Sequence, residues 1–130
     1  MKMNTMKILL LMGLGTNLNA EMSSLQGAKD TCDNGNPRGC FNLAFMYDFG
    51  EGVKQDTLKA TELYSKACDA GYAGGCLVLG AIYHVGEDVK KNTLRAKRLY
   101  SKACDGGNDR GCKEYAILKV NDKIVSKYYK

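Results

Sequence analysis

Residue types that do chemistry crowd into one short stretch, Leu63-Tyr64-Ser65-Lys66-Ala67-Cys68-Asp69, and the same seven residues return as Leu99 to Asp105. A serine beside a lysine suggests a nucleophile with a base, and a cysteine suggests a disulfide, a thiol or a metal ligand. On a helix, however, adjacent residues point about 100° apart. Lys66 therefore does not serve Ser65, nor Lys102 Ser101. A Ser-His-Asp arrangement would have to use His84, the only histidine. It follows Tyr83 opposite the apolar stripe and reads as a surface residue. A zinc site needs several ligands at short spacing, and the chain has no C-x-x-C pair. No cofactor and no metal are expected.

The cysteines point elsewhere. Cys32, Cys68 and Cys104 are followed, with seven residues between, by Cys40, Cys76 and Cys112. Both columns repeat at an offset of 36. Gly35, Gly71 and Gly107 keep that offset, as do Gly39, Gly75 and Gly111. A fixed period of this size marks an array of stacked units. Six cysteines allow 15 pairings, and the repeat selects one pair inside each unit: Cys32–Cys40, Cys68–Cys76 and Cys104–Cys112.

The elements that position these residues are legible in the middle unit. Leu58, Ala60, Leu63, Tyr64, Ala67 and Cys68 fall mostly on i, i+3, i+4, i+7 spacing, one face of a helix. Gly71 is placed to end it. A second helix is expected from near Ala73 to Gly86, carrying Cys76, Leu77, Leu79, Gly80, Ile82, Tyr83 and Val85. A polar connector follows, and Thr93 is expected to cap the next helix. Small residues recur inside the second helices, at Gly39, Gly75 and Gly111 and at Ala44, Gly80 and Ala116. Glycine in a helix costs up to about 1 kcal/mol relative to alanine, so the recurrence implies close helix approach. The terminal units deviate, as they do in arrays. Gly27 and Ala28 stand where the others have Leu-Tyr, and Pro37 stands at the expected start of a second helix. After Lys119 the loop signal gives way to Ile124, Val125, Tyr128 and Tyr129. These are expected to extend the last helix over the end of the stack, with Lys119, Lys123, Lys127 and Lys130 on its wet side.

A chain of 130 residues with net charge +5 and 25% charged residues bounds the protein to one array of ordinary soluble composition. Residues 1–20 read as a secretory signal peptide. Lys2 and Lys7 form the positive region, Ile8 to Leu14 the short apolar region, and Ala20 the small residue before cleavage. The apolar run is well short of the roughly 20 residues a membrane-spanning helix needs. Residues 21–130 form the repeat domain, with units 24–59, 60–95 and 96–130. An even cysteine count behind a signal peptide implies disulfides in an exported protein, periplasmic or extracellular. Residues 96–130 hold nine basic and four acidic residues and carry most of the positive potential. They lack the arginine–aromatic interleaving of nucleic-acid readers, so no nucleic-acid partner is expected.

The pattern Ala60-x-x-Leu63-Tyr64-x-Lys66-Ala67-Cys68-x-x-Gly71, then Leu79-Gly80-x-x-Tyr83-x-x-Gly86 with Val89, resembles Sel1-like repeats of the tetratricopeptide-like class. The cysteine pair in each unit is similar to the Helicobacter cysteine-rich protein family, secreted repeat proteins with one disulfide per helix pair. The resemblance implies an all-α, right-handed αα-hairpin solenoid of three repeats. Members of that family carry the label β-lactamase or penicillin-binding protein, and the wider superfamily serves mostly as interaction scaffold. A serine β-lactamase needs S-x-x-K and K-T-G. Ser23, Ser24, Ser65, Ser101 and Ser126 are followed three residues on by Gln26, Gly27, Cys68, Cys104 and Tyr129, and K-T-G is absent. β-Lactam hydrolysis is therefore expected to be weak at best, with no catalytic residue assignable. The alternative is a non-catalytic scaffold, a monomer, whose first helices line a concave face. Its expected ligand groove comprises Glu62, Ser65, Lys66, Asp69, Arg98, Ser101, Lys102 and Asp105. The ligand would be an extended peptide or protein, or a β-lactam or peptidoglycan-like molecule. Asn108, Asp109 and Arg110 are expected in the adjoining turn.

Expressed with its own leader in a secreting host, the protein is expected to begin at Glu21. Intact mass and N-terminal sequencing of the exported material check this, and a retained Met1 would refute it.

Overall fold

Glycine and asparagine punctuate a succession of helices. The computed structural model describes residues 24–129. Helix α1 spans 24–33 as described, α2 Pro37–Phe49, α3 Thr57–Asp69, α4 Ala73–Val85, α5 Thr93–Asp105 and α6 Asp109–Tyr128. Among the described residues there is no strand. The odd-numbered helices are the first of each pair and the even-numbered ones the second. From α2 onward each helix packs on the next in sequence, as in a stack of hairpins.

The turn inside each pair is set by one glycine. Gly71 has φ +95°, which a residue with a Cβ rarely adopts. Its N–H donates to the Cys68 carbonyl, and the Tyr72 N–H donates to that of Ala67. These two bonds close the end of α3 as a Schellman motif. The motif recurs at Gly35 and Gly107 with the equivalent bonds. Second helices then start on Asn36, whose side chain accepts from the Arg38 and Gly39 amides, and on Asn108, which accepts from Gly111. Pro37 occupies the first turn of α2. Tyr72 stands in the same column without a side-chain cap. Its ring lies 5.0 Å from Phe41, which is itself 5.5 Å from Tyr64. At this turn an aromatic contact between units replaces a cap.

Gly50 and Gly86, both left-handed, end α2 and α4. The connectors fold back so that the Asp56 and Asn92 amides donate to the carbonyls of Tyr47 and Tyr83. Asn92, not Thr93, caps α5, accepting from the Arg95 amide, as Asp56 does for α3. Thr93 is the first helical residue. Asn92, held by its own backbone bond to Tyr83, is already at the extended position a cap requires.

The helices of a pair approach very closely. A Cβ on Gly75 would lie 3.0 Å from the Ala67 Cβ and 3.0 Å from the Cys68 nitrogen. At Gly111 it would lie 2.7 Å from the Ala103 Cβ. The three disulfides, Cys32–Cys40, Cys68–Cys76 and Cys104–Cys112, sit at this crossing, with Cα atoms 4.3, 4.6 and 4.5 Å apart. Successive pairs are joined by tyrosine. Tyr100 lies on Gly80, where a Cβ would come within 2.8 Å of its ring. Tyr64 occupies the same place in the cluster that contains Ala44.

Each tyrosine reaches a polar group on the preceding second helix. Tyr64 donates its hydroxyl to Asp48 Oδ2 at 3.2 Å, and the Tyr100 hydroxyl lies 3.4 Å from His84 Nδ1. His84 is thus half-buried against Tyr100, not the plain surface residue its place in the sequence suggests. Burial first, then the Asp48 charge and hydrogen bond, hold the Tyr64 hydroxyl well above the ordinary phenol range. Burial also raises Tyr100, with Glu114 adding to the shift and Arg110 opposing it.

The last helix does extend, to Tyr128. It does not cover the end of the stack: Ile124, Val125, Tyr128 and Tyr129 are all exposed. After Leu118, the last buried residue of α6, the Lys97–Asp122 ion pair ties its second half to α5.

Closing a loop of this length stabilises by roughly 2.5 kcal/mol per disulfide in chain-entropy terms. Reduction of all three is expected to unfold the protein near body temperature, followed by circular dichroism during a thermal scan. A reduced sample with full helicity and an unchanged midpoint would show that the clamps are dispensable. A second expectation concerns alkali. Above about pH 10 the unfolded chain releases a tyrosine proton that folded Tyr64 retains, so stability falls as pH rises. Tyr64→Phe should cost about 1 kcal/mol at neutral pH and lessen the alkaline fall, both read from urea midpoints. An identical alkaline fall in the variant would remove Tyr64 from that account.

Candidate functional site

Once the core has taken Ala60, Leu63, Tyr64 and Ala67 from α3, the opposite face is left for other work. Glu62, Lys66 and Asp69 lie on it exposed, one turn apart, and Ser65 is half-buried beside them. On α5 the same columns hold Arg98, Lys102 and Asp105, exposed, with Ser101 half-buried. The two faces lie side by side: Lys102 Nζ is 3.6 Å from Asp69 Oδ1. Both partners are exposed, so the pair contributes no more than about 1 kcal/mol. Its value is as a marker that α3 and α5 present one surface. Asn108 caps α6, and Asp109 and Arg110 form its first turn instead of lying in the loop.

At the start of α3 and of α5 lies a cation over an aromatic ring. Lys59 Nζ is 4.9 Å from the Tyr47 ring centroid, and the Arg95 guanidinium is 4.3 Å from that of Tyr83. Sequence reasoning left both pairs out. The 36-residue offset that relates Lys59 to Arg95 and Tyr47 to Tyr83 was the available signal. Leu58 and Leu94 stand exposed next to these cations. On α5 this produces a groove of about 430 Å³ lined by Asn92, Leu94, Arg95, Arg98, Leu99 and Lys102. On α3 the corresponding groove, of about 550 Å³, lies nearer the connector and is lined by Tyr47, Val53, Leu58 and Lys59 among others.

The cations, carboxylates and hydroxyls of this surface can form ion pairs and hydrogen bonds with a ligand. All six cysteines are in disulfides, so no described thiol is a nucleophile. Among the described residues no three His, Cys, Asp or Glu side chains converge as a metal site would require. His84 Nδ1 faces the Tyr100 hydroxyl. No described helix is long and apolar enough to cross a membrane.

Comparison with known proteins gives a family model, the Sel1 repeat, that matches residues 37–72 and 73–108. Each span begins at a second helix and covers one period. Among solved structures the chain is similar to cysteine-rich protein B of Helicobacter pylori, at 36% identity and a TM-score of 0.66, over 68% of this chain and 67% of that one. It is similar to a protective antigen of uropathogenic Escherichia coli strains that displays an SLR fold, at 32% identity and a TM-score of 0.70. That match covers 75% of this chain but 21% of the antigen. A Sel1 repeat protein from Oxalobacter formigenes shares the fold, at 24% identity and a TM-score of 0.71, over 76% of this chain and 39% of that one. No curated protein sequence matches the chain significantly.

Proposed function

We propose that this chain, which belongs to the Sel1 repeat family, is an exported, non-catalytic scaffold that holds an extended peptide or protein segment on the joined faces of α3 and α5. The observation that carries the reading is the Asp69–Lys102 pair. It marks two exposed, polar helix faces as lying edge to edge, and the hairpins behind them are fixed by disulfides. Sel1 repeats commonly mediate protein binding. A rigid face favours binding because little conformational freedom is lost when a ligand docks.

Export is supported by the disulfides, which persist in oxidising compartments, and by the likeness to cysteine-rich protein B. In this reading residues 1–20 are a signal peptide, outside the described residues, and the array of units 24–59, 60–95 and 96–130 acts as a monomer. Glu62, Ser65, Lys66, Asp69, Arg98, Ser101, Lys102 and Asp105 contribute the face. A β-lactam is a ligand here and not a substrate. Ser65 and Ser101 each have a cysteine three residues on, tied up in a disulfide, where a serine β-lactamase has its lysine.

The test uses oxidised, purified protein on an array of varied peptides, together with a nitrocefin assay. Peptides are expected to bind with micromolar affinity, weakened about fivefold or more by Lys66→Glu with Asp69→Lys. No nitrocefin turnover is expected. Turnover that survives repurification and disappears on reduction would overturn the reading in favour of an enzyme.

A further inference from the structure

Charge divides the proposed binding face unevenly. The columns that hold Lys59, Glu62 and Lys66 on α3 hold Arg95, Arg98 and Lys102 on α5. The exchange of Glu62 for Arg98 turns a mixed stripe into three cations in one groove. Among the described residues neither Arg95 nor Arg98 has a carboxylate within ion-pair distance, and Lys102 has only the exposed Asp69 at 3.6 Å. A ligand carboxylate can displace that partner at little cost. Leu94, exposed, and Leu99, half-buried, line the same groove.

We infer that the segment held by this groove is acidic: an extended peptide whose carboxylates, on one side of its backbone, meet Arg95, Arg98 and Lys102. The inference rests on the peptide-binding reading above and names the chemistry of its partner. Three observations favour this occupant. The cations stand at i, i+3 and i+7, about 10 Å along the helix axis at 1.5 Å per residue. An extended peptide advances about 3.3 Å per residue, so acidic residues at alternate positions, about 7 Å apart on one side of its backbone, come within reach of three long cationic side chains spread over that length. A small ligand with a single carboxylate meets only one end. Next, Arg95 is already positioned by the Tyr83 ring at 4.3 Å. A planar guanidinium held in place loses less freedom when it forms a forked pair with a carboxylate. Finally, the Tyr83 ring is covered by Arg95 and offers no open platform on which a nucleic-acid base could stack.

The experiment measures fluorescence anisotropy of the full oxidised protein with three labelled peptides. Their sequences are Gly-Glu-Leu-Glu-Leu-Glu-Gly, its glutamine counterpart and its lysine counterpart. The acidic peptide is expected to bind about tenfold more tightly than the glutamine one, with affinity falling as salt rises. Arg98→Glu, at an exposed position whose fold is checked by circular dichroism, should lose about that factor for the acidic peptide and gain affinity for the lysine peptide. Equal binding of the acidic and glutamine peptides, unmoved by Arg98→Glu, would overturn the acidic partner while leaving peptide binding intact. Failure of these peptides and of a varied array alike would overturn the binding reading itself. Binding to phosphatidylglycerol vesicles or a single-stranded oligonucleotide, without binding to the acidic peptide, would also overturn the proposal.

Discussion

Everything in this molecule depends on how near the two helices of a pair can come. At Gly39, Gly75 and Gly111 there is no space for a Cβ, so the second helix lies against the backbone of the first. That contact brings the two cysteine Cα atoms within bonding range and leaves each disulfide as a staple across an existing crossing. Ala60, Ala67, Ala96 and Ala103, all fully buried, extend the same principle along the first helices. The core sets tightly packed small residues beside a few large ones, Tyr47, Tyr64 and Tyr100 with Leu43, Met46, Leu79 and Leu118. Closely packed interiors leave little tolerance for a change of volume.

Most of this was legible because the chain states it three times. The offset of 36 fixed the cysteine pairs, the left-handed turn at Gly71, the stop at Gly86 and the place of Pro37. What escaped the sequence was the identity of partners across units. Asp48 and His84 share a column but not a chemistry, so neither announces that it receives a tyrosine hydroxyl. Asn92 and Thr93 are both good capping types, and only the backbone bond to Tyr83 decides for Asn92. The apolar residues after Lys119 suggested a cover for the stack. Hydrophobicity shows that a helix has something to bury, whereas its reach depends on whether a neighbour lies alongside. α6 outruns α5.

The contrast between buried and exposed columns explains where individuality resides. Ala60 and Ala96, Tyr64 and Tyr100, and Ala67 and Ala103 are the same residue in consecutive units. Glu62 and Arg98, both exposed, are not. Inside the stack each unit must present its neighbour with the same shape. On the open face no neighbour imposes a shape, and charge can change from unit to unit without cost to packing. The stretch that first looked like catalytic machinery is therefore mostly framework, and the variable residues around it supply the specificity.

One position on α6 shows what the stack demands of anything laid upon it. Ala116 continues the small column of Ala44 and Gly80 and stands exposed, so it has room for a ring. Val120 continues the column of Asp48 and His84 and has no polar atom to meet a phenol. A buried hydroxyl without a partner costs about 1–3 kcal/mol. The same helix face that accommodates the outline of a tyrosine therefore penalises its oxygen. A helix docking on α6 is better served by phenylalanine or leucine than by the residue that locks every earlier joint. The stack discriminates by a single missing acceptor.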